Sequence, residues 1–343
     1  MLLMVPDSGK LALIVAQSCD IVVDICCLNM NHYVSNFPHP QYYLGEVPRL
    51  MHQVCGTTKI LGVMGSPVTH SLSPVMHNAA IAALGVDYVY VPLPVAIADL
   101  ATAVNGLKAI DAVQGFNLTI PHKQEIIPLL DGISDTARAV GAINTVKREG
   151  GGWIGTNTDI AGFLVPLMEL ERDWSQIDAV VLGCGGAAKA VVAACAQLGC
   201  ASVHVVGRDR AKLERFEREI ASHLNKLDLR VREWSSLSVL LEIAGIVINT
   251  TPIGMSSGMA SNPDTPISNT QMQLIPPGAI AYDLVYTPRP TQFLKLAAAR
   301  GLVAIDGLEM LLHQGAIALE FWLGRQAPVQ VMQQALLDAI GLK

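Results

Sequence analysis

Four polar clusters interrupt segments otherwise built for burial, and each carries residue types that bind substrates or move protons. The first, HSLSP at 70–74, sets Ser71 and Ser73 two apart at a helix start. Hydroxyls and free backbone N–H groups there can hold a carboxylate, with simple capping by Ser73 as the rival reading. The second, GFNLTIPHK at 115–123, puts Asn117 and Thr119 on one face of an extended segment. Lys123 follows on the first turn of a helix beside that face; taken alone it reads as a surface lysine. The third, GAIN, contributes Asn144, and the fourth, GTNTDIAG, places Asp159 at a predicted helix start, where it could also be a cap. A lysine and a carboxylate that meet in a closed site have another use. Burial favours a neutral amine and a nearby carboxylate favours a charged one, so their balance sets how readily a proton passes to a substrate oxygen. Hydride transfer to a carbonyl needs that proton, because a nicotinamide supplies only the hydride.

A nucleotide signal lies further along. VLGCGGAAKA at 181–190 contains G-x-G-x-x-A (Gly183, Gly185, Ala188) after a predicted strand and at the start of a predicted helix. Gly183 permits the tight turn, Gly185 lets the backbone approach a pyrophosphate, and Ala188 lets helix and strand pack. The rival is a glycine turn with no ligand. The next strand ends VVGRDRAK, with Arg208 first and Arg210 and Lys212 behind it. Guanidinium groups suit a 2′-phosphate, which favours NADP. Asp209, turned inward, would instead bind a ribose hydroxyl and favour NAD, and a solvated charge run would bind neither.

The elements that must position these groups read as α/β. The chain has 343 residues, enough for two domains at roughly 150 residues each. It is 51% hydrophobic, 15% charged and 5% aromatic, which excludes a disordered chain or coiled coil and points to wide burial on small aliphatic residues. Strands are predicted at 59–65, 86–92 and near 112–118, with helices from Ser73 to Gly85, near 97–107, and from Pro121 through Leu130, giving βαβα units and a parallel sheet. Residues 142–156 read as two short strands around a triple-glycine turn. A second run follows: strand 178–183, helix 187–198, strand 202–207, helix 210–224, strands near 230–233, 246–250 and 279–284, then helices near 307–323 and 328–340.

Net charge is −6 with no basic cluster, so nucleic acid is not an expected partner. The seven cysteines show no paired C-x-x-C, and the histidines no H-E-x-x-H, so neither a disulfide framework nor a metal is expected; reduced thiols in the cytoplasm are the default. Residues 11–30 are apolar but carry Asp20 and Asp24, against a membrane span; Lys10 is the only preceding cation and no A-x-A follows, against a signal peptide. Residues 31–50 hold three prolines and no sustained period, so the first fifty-odd residues (1–55) read as an extension outside the catalytic fold, with Met51 a candidate natural start.

HSLSP, NLTIPHK, GAINT, GTNTDIAG, GCGGAAKAV, NTTPIGM, YDLVY and DGLEMLLHQG stand in an order that resembles the shikimate dehydrogenase family, especially its cyanobacterial members, from about Lys59 to the C-terminus. The resemblance implies two α/β domains with a cleft between them: a substrate-binding domain of 56–158 plus 306–343, and a Rossmann-like NADP-binding domain of 159–305. It implies that Ser71, Ser73 and Tyr286 bind a substrate carboxylate, that Asn117 and Thr119 line the pocket, and that Lys123 is the acid/base. Asn144, Asp159 and Gln314 match substrate contacts. Gly183, Cys184, Gly185, Gly186 and Ala187 match the phosphate loop. Gly207, Arg208, Asp209, Arg210, Ala211 and Lys212 match the adenosine-side loop, and Leu284 and Gly307 lie beside the nicotinamide.

The implied reaction is reversible reduction of 3-dehydroshikimate by NADPH, a step of aromatic amino-acid biosynthesis. Departures bear on the cofactor: the family's N-R-[ST] is Gly207, Arg208, Asp209 here, and Leu284 stands where methionine is frequent. Ser73, where quinate-using relatives often carry threonine, leans toward shikimate. An NAD-dependent quinate/shikimate dehydrogenase and a non-catalytic NADP-binding sensor remain rivals, and the oligomeric state, a homodimer included, stays open.

Overall fold

The computed structural model describes residues 54–221, 227–255 and 264–341, together with the backbone of 2–4, 11–17 and 20–24. It divides into two compact units, Met1–Met51 and His52–Lys343. In the first, β1 (Leu2–Met4), β2 (Leu11–Gln17) and β3 (Asp20–Asp24) form an antiparallel sheet, so part of the apolar stretch at 11–30 is strand. Residues 25–53, Met51 included, lie outside the described residues.

The second unit holds two six-stranded sheets. The first is built from β4 (Lys59–Gly65), β5 (Tyr88–Pro94), β6 (Val113–Leu118), β7 (Gly132–Ile133), β8 (Thr145–Glu149) and β9 (Gly152–Thr156), in the order β5-β4-β6-β8-β9-β7. Its early strands pair in parallel, but β8 runs antiparallel to both β6 and β9, so the sheet is mixed rather than parallel throughout. The cause is local. Gly150 (φ 57°) and Gly151 (φ 81°) reverse the chain in a two-residue turn, a conformation that disfavours any side chain, and Gly152 already opens β9.

Helices α1 (Ser73–Leu84), α2 (Leu100–Lys108), α3 (His122–Glu125) and α4 (Asp135–Val140) belong to this half. The helix expected from Pro121 through Leu130 is instead α3 followed by a 3₁₀ turn at Ile127–Leu129. Pro128 has no N–H to extend the α ladder. Likewise, 97–99 is a 3₁₀ turn and α2 begins at Leu100.

From α5 (Asp159–Met168) the chain enters the second sheet: β10 (Asp178–Leu182), α6 (Gly186–Leu198), β11 (Ser202–Gly207), α7 (Arg210–Ala221), β12 (Leu229–Glu233), α8 (Leu237–Leu241), β13 (Ala244–Asn249), α9 (Asn269–Met272), β14 (Ile280–Asp283), α10 (Gln292–Ala299) and β15 (Val303–Ile305). Every pairing is parallel, in the order β12-β11-β10-β13-β14-β15. Alternate residues face opposite layers: Ala179, Val181, Val203 and Val205 pack with α6 and α7, and Val180, Leu182, Val206 and Val247 pack with α8 to α10. Helices α11 (Gly307–Leu323) and α12 (Val329–Ala339) return to the first sheet, where Leu308, Leu312, Leu319 and Leu336 close over Leu61 and Val63. Short elements without a strong apolar period (β7, α4, α8, α9, β15), and α10, escape the sequence reading.

In a doubly wound sheet, ligands sit beyond the carboxyl ends of the strands, where the order reverses. Here that point lies between β10 and β13. The glycine turn after β10 meets the NTTP turn after β13: Thr250 N–H and Oγ1 both donate to Leu182 O, at 3.0 and 2.7 Å.

Candidate active site

The lysine and the carboxylate meet. Lys123 Nζ lies 2.6 Å from Asp159 Oδ2, and both groups are shielded from solvent, with side chains 17% and 5% exposed. Lys123 projects from α3, just past the end of β6, and Asp159 from the first turn of α5. Asp159 is not the cap of its own helix. Asn157 Oδ1 takes that task, accepting from the Asp159 and Ile160 N–H groups at 3.0 and 3.4 Å. The other Asp159 oxygen accepts from Asn144 Nδ2 at 2.8 Å. Asn144 Nδ2 also reaches Gln314 Oε1 (3.3 Å), and Thr158 N–H and Thr145 Oγ1 donate to Asn144 Oδ1 (2.8 and 3.0 Å). This amide is therefore fixed in orientation, and it fixes the carboxylate. A buried network with every member bonded holds one geometry.

Of the remaining expected substrate contacts, Gln314 touches this network directly, through Asn144. Ser73 is not a capping residue: it is the first residue of α1, and its N–H donates to Ser71 Oγ (3.3 Å), so the two serines face one turn together. Tyr286 packs into the same corner. Its phenol pKa is raised by burial, opposed by a bond to the Leu72 backbone between the two serines. Thr119 lies one residue beyond β6, half-buried, with its N–H on Met64 O (2.9 Å). Gln314, on α11, donates from Nε2 to Leu311 O (2.8 Å).

Asn117 differs from expectation in kind. Its Oδ1 accepts from the Tyr90 hydroxyl (2.7 Å), and its Nδ2 donates to Asn144 O (3.1 Å) and Thr145 Oγ1 (3.0 Å). Both amide protons are engaged, so toward a ligand Asn117 offers only an acceptor lone pair. The Tyr90 phenol, which also meets the Ser73 hydroxyl, is 1% exposed and stacks on His77 with ring centroids 4.3 Å apart. Tyr90, His77, Thr145, Asn157 and Thr158 are the residues sequence reasoning missed. Thr145, Asn157 and Thr158 stood inside the GAINT and GTNTDIAG motifs, whose polar density was their signal. Tyr90 sat in an alternating strand and gave none.

The nucleotide side fits a dinucleotide. Gly183 has φ 106°, and a Cβ there would lie 2.8 Å from Thr250 Oγ1, so only glycine suits the turn. Gly185 stands at the N-cap of α6 and offers no side-chain cap, and a Cβ on it would meet nothing within 4 Å. With no side-chain cap, the first amides of α6 are left for another partner, and the helix dipole there favours an anion. A Cβ on Gly186 would lie 3.4 Å from Lys123 Cβ. The phosphate loop and the lysine stem are therefore neighbours. Cys184 touches the second loop: a Cβ on Gly207 would sit 3.5 Å from its sulfur. Its thiol pKa is raised by burial, with Lys212 and Asp209 acting on it in opposite directions.

In that second loop Asp209 caps α7, its Oδ1 accepting from Lys212 N–H (3.1 Å), and its Oδ2 lies 3.8 Å from Lys212 Nζ. Arg210 is taken up by Glu214 (3.0 Å) and approaches Glu233 (4.0 Å), and Ala211 is exposed beside it. Arg208 has no hydrogen bond or ion pair among the described residues and is exposed. Leu284 and Gly307 are in contact: a Cβ on Gly307 would lie 2.3 Å from Leu284 O, so a glycine is needed for that approach.

Comparison with known proteins bears on the same segments. A family profile described as the shikimate dehydrogenase substrate binding domain matches residues 63–146, and one described as the shikimate 5′-dehydrogenase C-terminal domain matches 307–337. The chain is 56% identical to shikimate dehydrogenase (NADP(+)) of Microcystis aeruginosa over 282 residues, 82% of this chain and 97% of that one. It is 54% identical to the Synechocystis protein of the same name over 288 residues, covering 84% and 98%. A crystal structure of shikimate dehydrogenase in complex with NADP+ superposes with a TM-score of 0.76 at 36% identity, covering 85% of this chain and 99% of that one.

Proposed function

The chain belongs to the shikimate dehydrogenase family, and we propose that its buried Lys123–Asp159 pair is the proton-transfer centre of that chemistry. The protein is an NADP-dependent oxidoreductase that interconverts 3-dehydroshikimate and shikimate, with NADPH as the hydride donor in the reducing direction. The observation that carries the residue assignment is the 2.6 Å contact of Lys123 Nζ with Asp159 Oδ2, made where the phosphate loop touches the lysine stem.

NADPH, when bound, supplies the hydride. Uncapped α6 amides at Gly185, Gly186 and Ala187 would hold its pyrophosphate, with Gly183 and Cys184 shaping the turn. Arg208 would meet the 2′-phosphate, and Leu284 and Gly307 would flank the nicotinamide. Ser71, Ser73 and Tyr286 would hold the substrate carboxylate, and Thr119, Asn144 and Gln314 its ring hydroxyls. Lys123 would deliver a proton from Nζ to the carbonyl oxygen as it gains charge, and Asp159 would hold the lysine in place and accept from the neighbouring hydroxyl. The domain assignment carried with this reading is 56–158 plus 306–343 for substrate and 159–305 for NADP.

The substrate is a small molecule, and all residues of the network come from one chain, so the reading does not depend on dimerisation. Among the described residues no helix is long and apolar enough to cross a membrane. Among the described residues Cys55, Cys184, Cys195 and Cys200 are free thiols. The deciding experiment is NADP⁺ reduction followed with shikimate and with quinate, each repeated with NAD⁺. Turnover with shikimate and NADP⁺ well above the other three combinations is expected. Preference for quinate with NAD⁺, or NADPH binding without turnover, would overturn the reading.

A further inference from the structure

The four residues 141–144 fasten four different pieces of the molecule. Gly141 O accepts from Lys189 Nζ at 3.3 Å, Ala142 O from Asn157 Nδ2 at 2.9 Å, Ile143 N–H donates to Lys123 O at 2.7 Å, and Asn144 Nδ2 donates to Asp159 Oδ1 at 2.8 Å. The last three serve the site already described. The first does not, because Lys189 belongs to α6, the helix whose N-terminus forms the phosphate loop.

Lys189 is 2% exposed. An ammonium in the first turns of a helix opposes the helix dipole, and burying one is costly unless it is paired and hydrogen-bonded. Both partners are present. Glu219 Oε2 on α7 lies 2.7 Å from Nζ, and the other Glu219 oxygen accepts from Arg215 Nε at 2.7 Å. Gly141 itself, with φ 63°, ends α4 in a left-handed turn, and a Cβ there would sit 3.5 Å from the ammonium. Alanine or leucine would fill this place in α6 at no electrostatic cost, so the charge is the feature to be explained. Its head is committed to a carboxylate and to a carbonyl on the substrate side.

We propose that Lys189 is a positioning residue: it pins the cofactor helix to the 141–144 segment and so fixes where the hydride donor stands relative to the Lys123–Asp159 pair. The proposal rests on the reading of that pair as the proton-transfer centre. Misplacing reacting groups by an ångström costs on the order of 100-fold in rate, whereas each half-site can still bind its own ligand.

The test uses the full chain with Lys189→Met, which keeps length and burial but removes the charge, and Lys189→Arg. Four readouts are taken: kcat, KM for 3-dehydroshikimate, the NADPH dissociation constant from fluorescence, and hydrogen exchange of the peptide spanning 141–144. K189M is expected to lower kcat by about 10- to 100-fold, with the NADPH dissociation constant within about threefold of wild type. Exchange at Ile143 should quicken, and K189R should recover most of kcat. A loss confined to NADPH affinity would make Lys189 a phosphate ligand and overturn the proposal. A lower melting temperature with unchanged kcat would leave a merely structural role and overturn it as well. Should K189M not fold, Glu219→Gln carries the same test from the partly exposed end of the pair, with an expected drop of roughly three- to tenfold. If the wild-type protein does not reduce 3-dehydroshikimate, the functional reading fails by itself. The exchange measurement still decides whether Lys189 holds 141–144, since it needs no turnover.

Discussion

The buried network around Lys123 and Asp159 and the 207–212 loop contain similar charged residues in opposite physical settings. Asn144 and Asp159 are 2% and 4% exposed, and each polar atom of their side chains has a partner in a second element. In the loop, the side chains of Arg210 and Lys212 are 78% and 74% exposed and, among the described residues, pair with nearby surface carboxylates. Buried bonds are poorly screened and cannot be exchanged for water, so they fix geometry; exposed pairs are screened within about 10 Å and contribute little to stability. The first region is thus suited to placing a proton. The second is suited to recognising a charge on a ligand, through whichever cation is left unpaired.

The largest expected effect breaks the first region at its centre. Lys123→Ala should lower kcat by roughly 10²- to 10⁴-fold while the KM for 3-dehydroshikimate changes little, as for a group acting mainly in the transition state. Near-normal turnover would remove the lysine from the chemistry. Because the network is buried, this deficit should be insensitive to salt.

A second test asks how far the buried region extends beneath the pocket. Burial lowers the His77 imidazole pKa from 6.5 to about 3, and neither ring nitrogen has a hydrogen-bond partner among the described residues. Its folded form stays neutral while the unfolded chain takes up a proton near pH 6.5, so the unfolded state binds more protons as pH falls. Stability from this group is complete above pH 6.5 and is lost progressively down to about pH 3. Between pH 7.5 and 5 the loss should be about 2 kcal/mol. Urea unfolding at those two pH values should show the loss in wild type and a smaller one in His77→Phe. Equal losses in both proteins would mean that His77 is not held neutral.

How much of this was legible differs between the two regions. The types and motif context of Lys123, Asp159 and Asn144 were enough to name them, because chemistry selects residue types. Their anchoring was not legible. Tyr90 and Asn117 are 27 residues apart, and Lys189 and Gly141 are 48 apart, so those bonds exist only after the strands and helices have packed. The same limit explains Asn117. Its motif named it as a pocket residue, but only the fold shows that both its amide protons are taken by Asn144 O and Thr145 Oγ1. Local backbone features fared better where glycine dictates them, as at Gly150–Gly151, and worse where Pro128 cut a predicted helix short. At the exposed loop the ambiguity over Asp209 was one of side-chain direction, which composition cannot express. The fold engages that carboxylate with the Lys212 N–H at the start of α7.

The two smallest effects belong to that loop and sharpen the contrast within it. Arg208 has no ion pair among the described residues and would be the cation to meet a 2′-phosphate, so Arg208→Gln should raise the KM for NADPH by roughly 10-fold and leave that for NADH nearly unchanged, since a charge-assisted bidentate contact is lost only with the phosphorylated cofactor. Arg210 has the same chemistry but is already engaged by Glu214 and drawn toward Glu233. To reach a phosphate it would have to leave both carboxylates, so Arg210→Gln should change the NADPH KM by less than about threefold. Measuring both variants at low and at high salt separates two pictures. If one free guanidinium recognises the phosphate, the Arg208 effect shrinks with salt while the Arg210 effect stays small throughout. If instead the two substitutions weaken NADPH equally and fade together with salt, recognition comes from the summed field of the loop, and the pairing of Arg210 seen in the free protein yields to the cofactor.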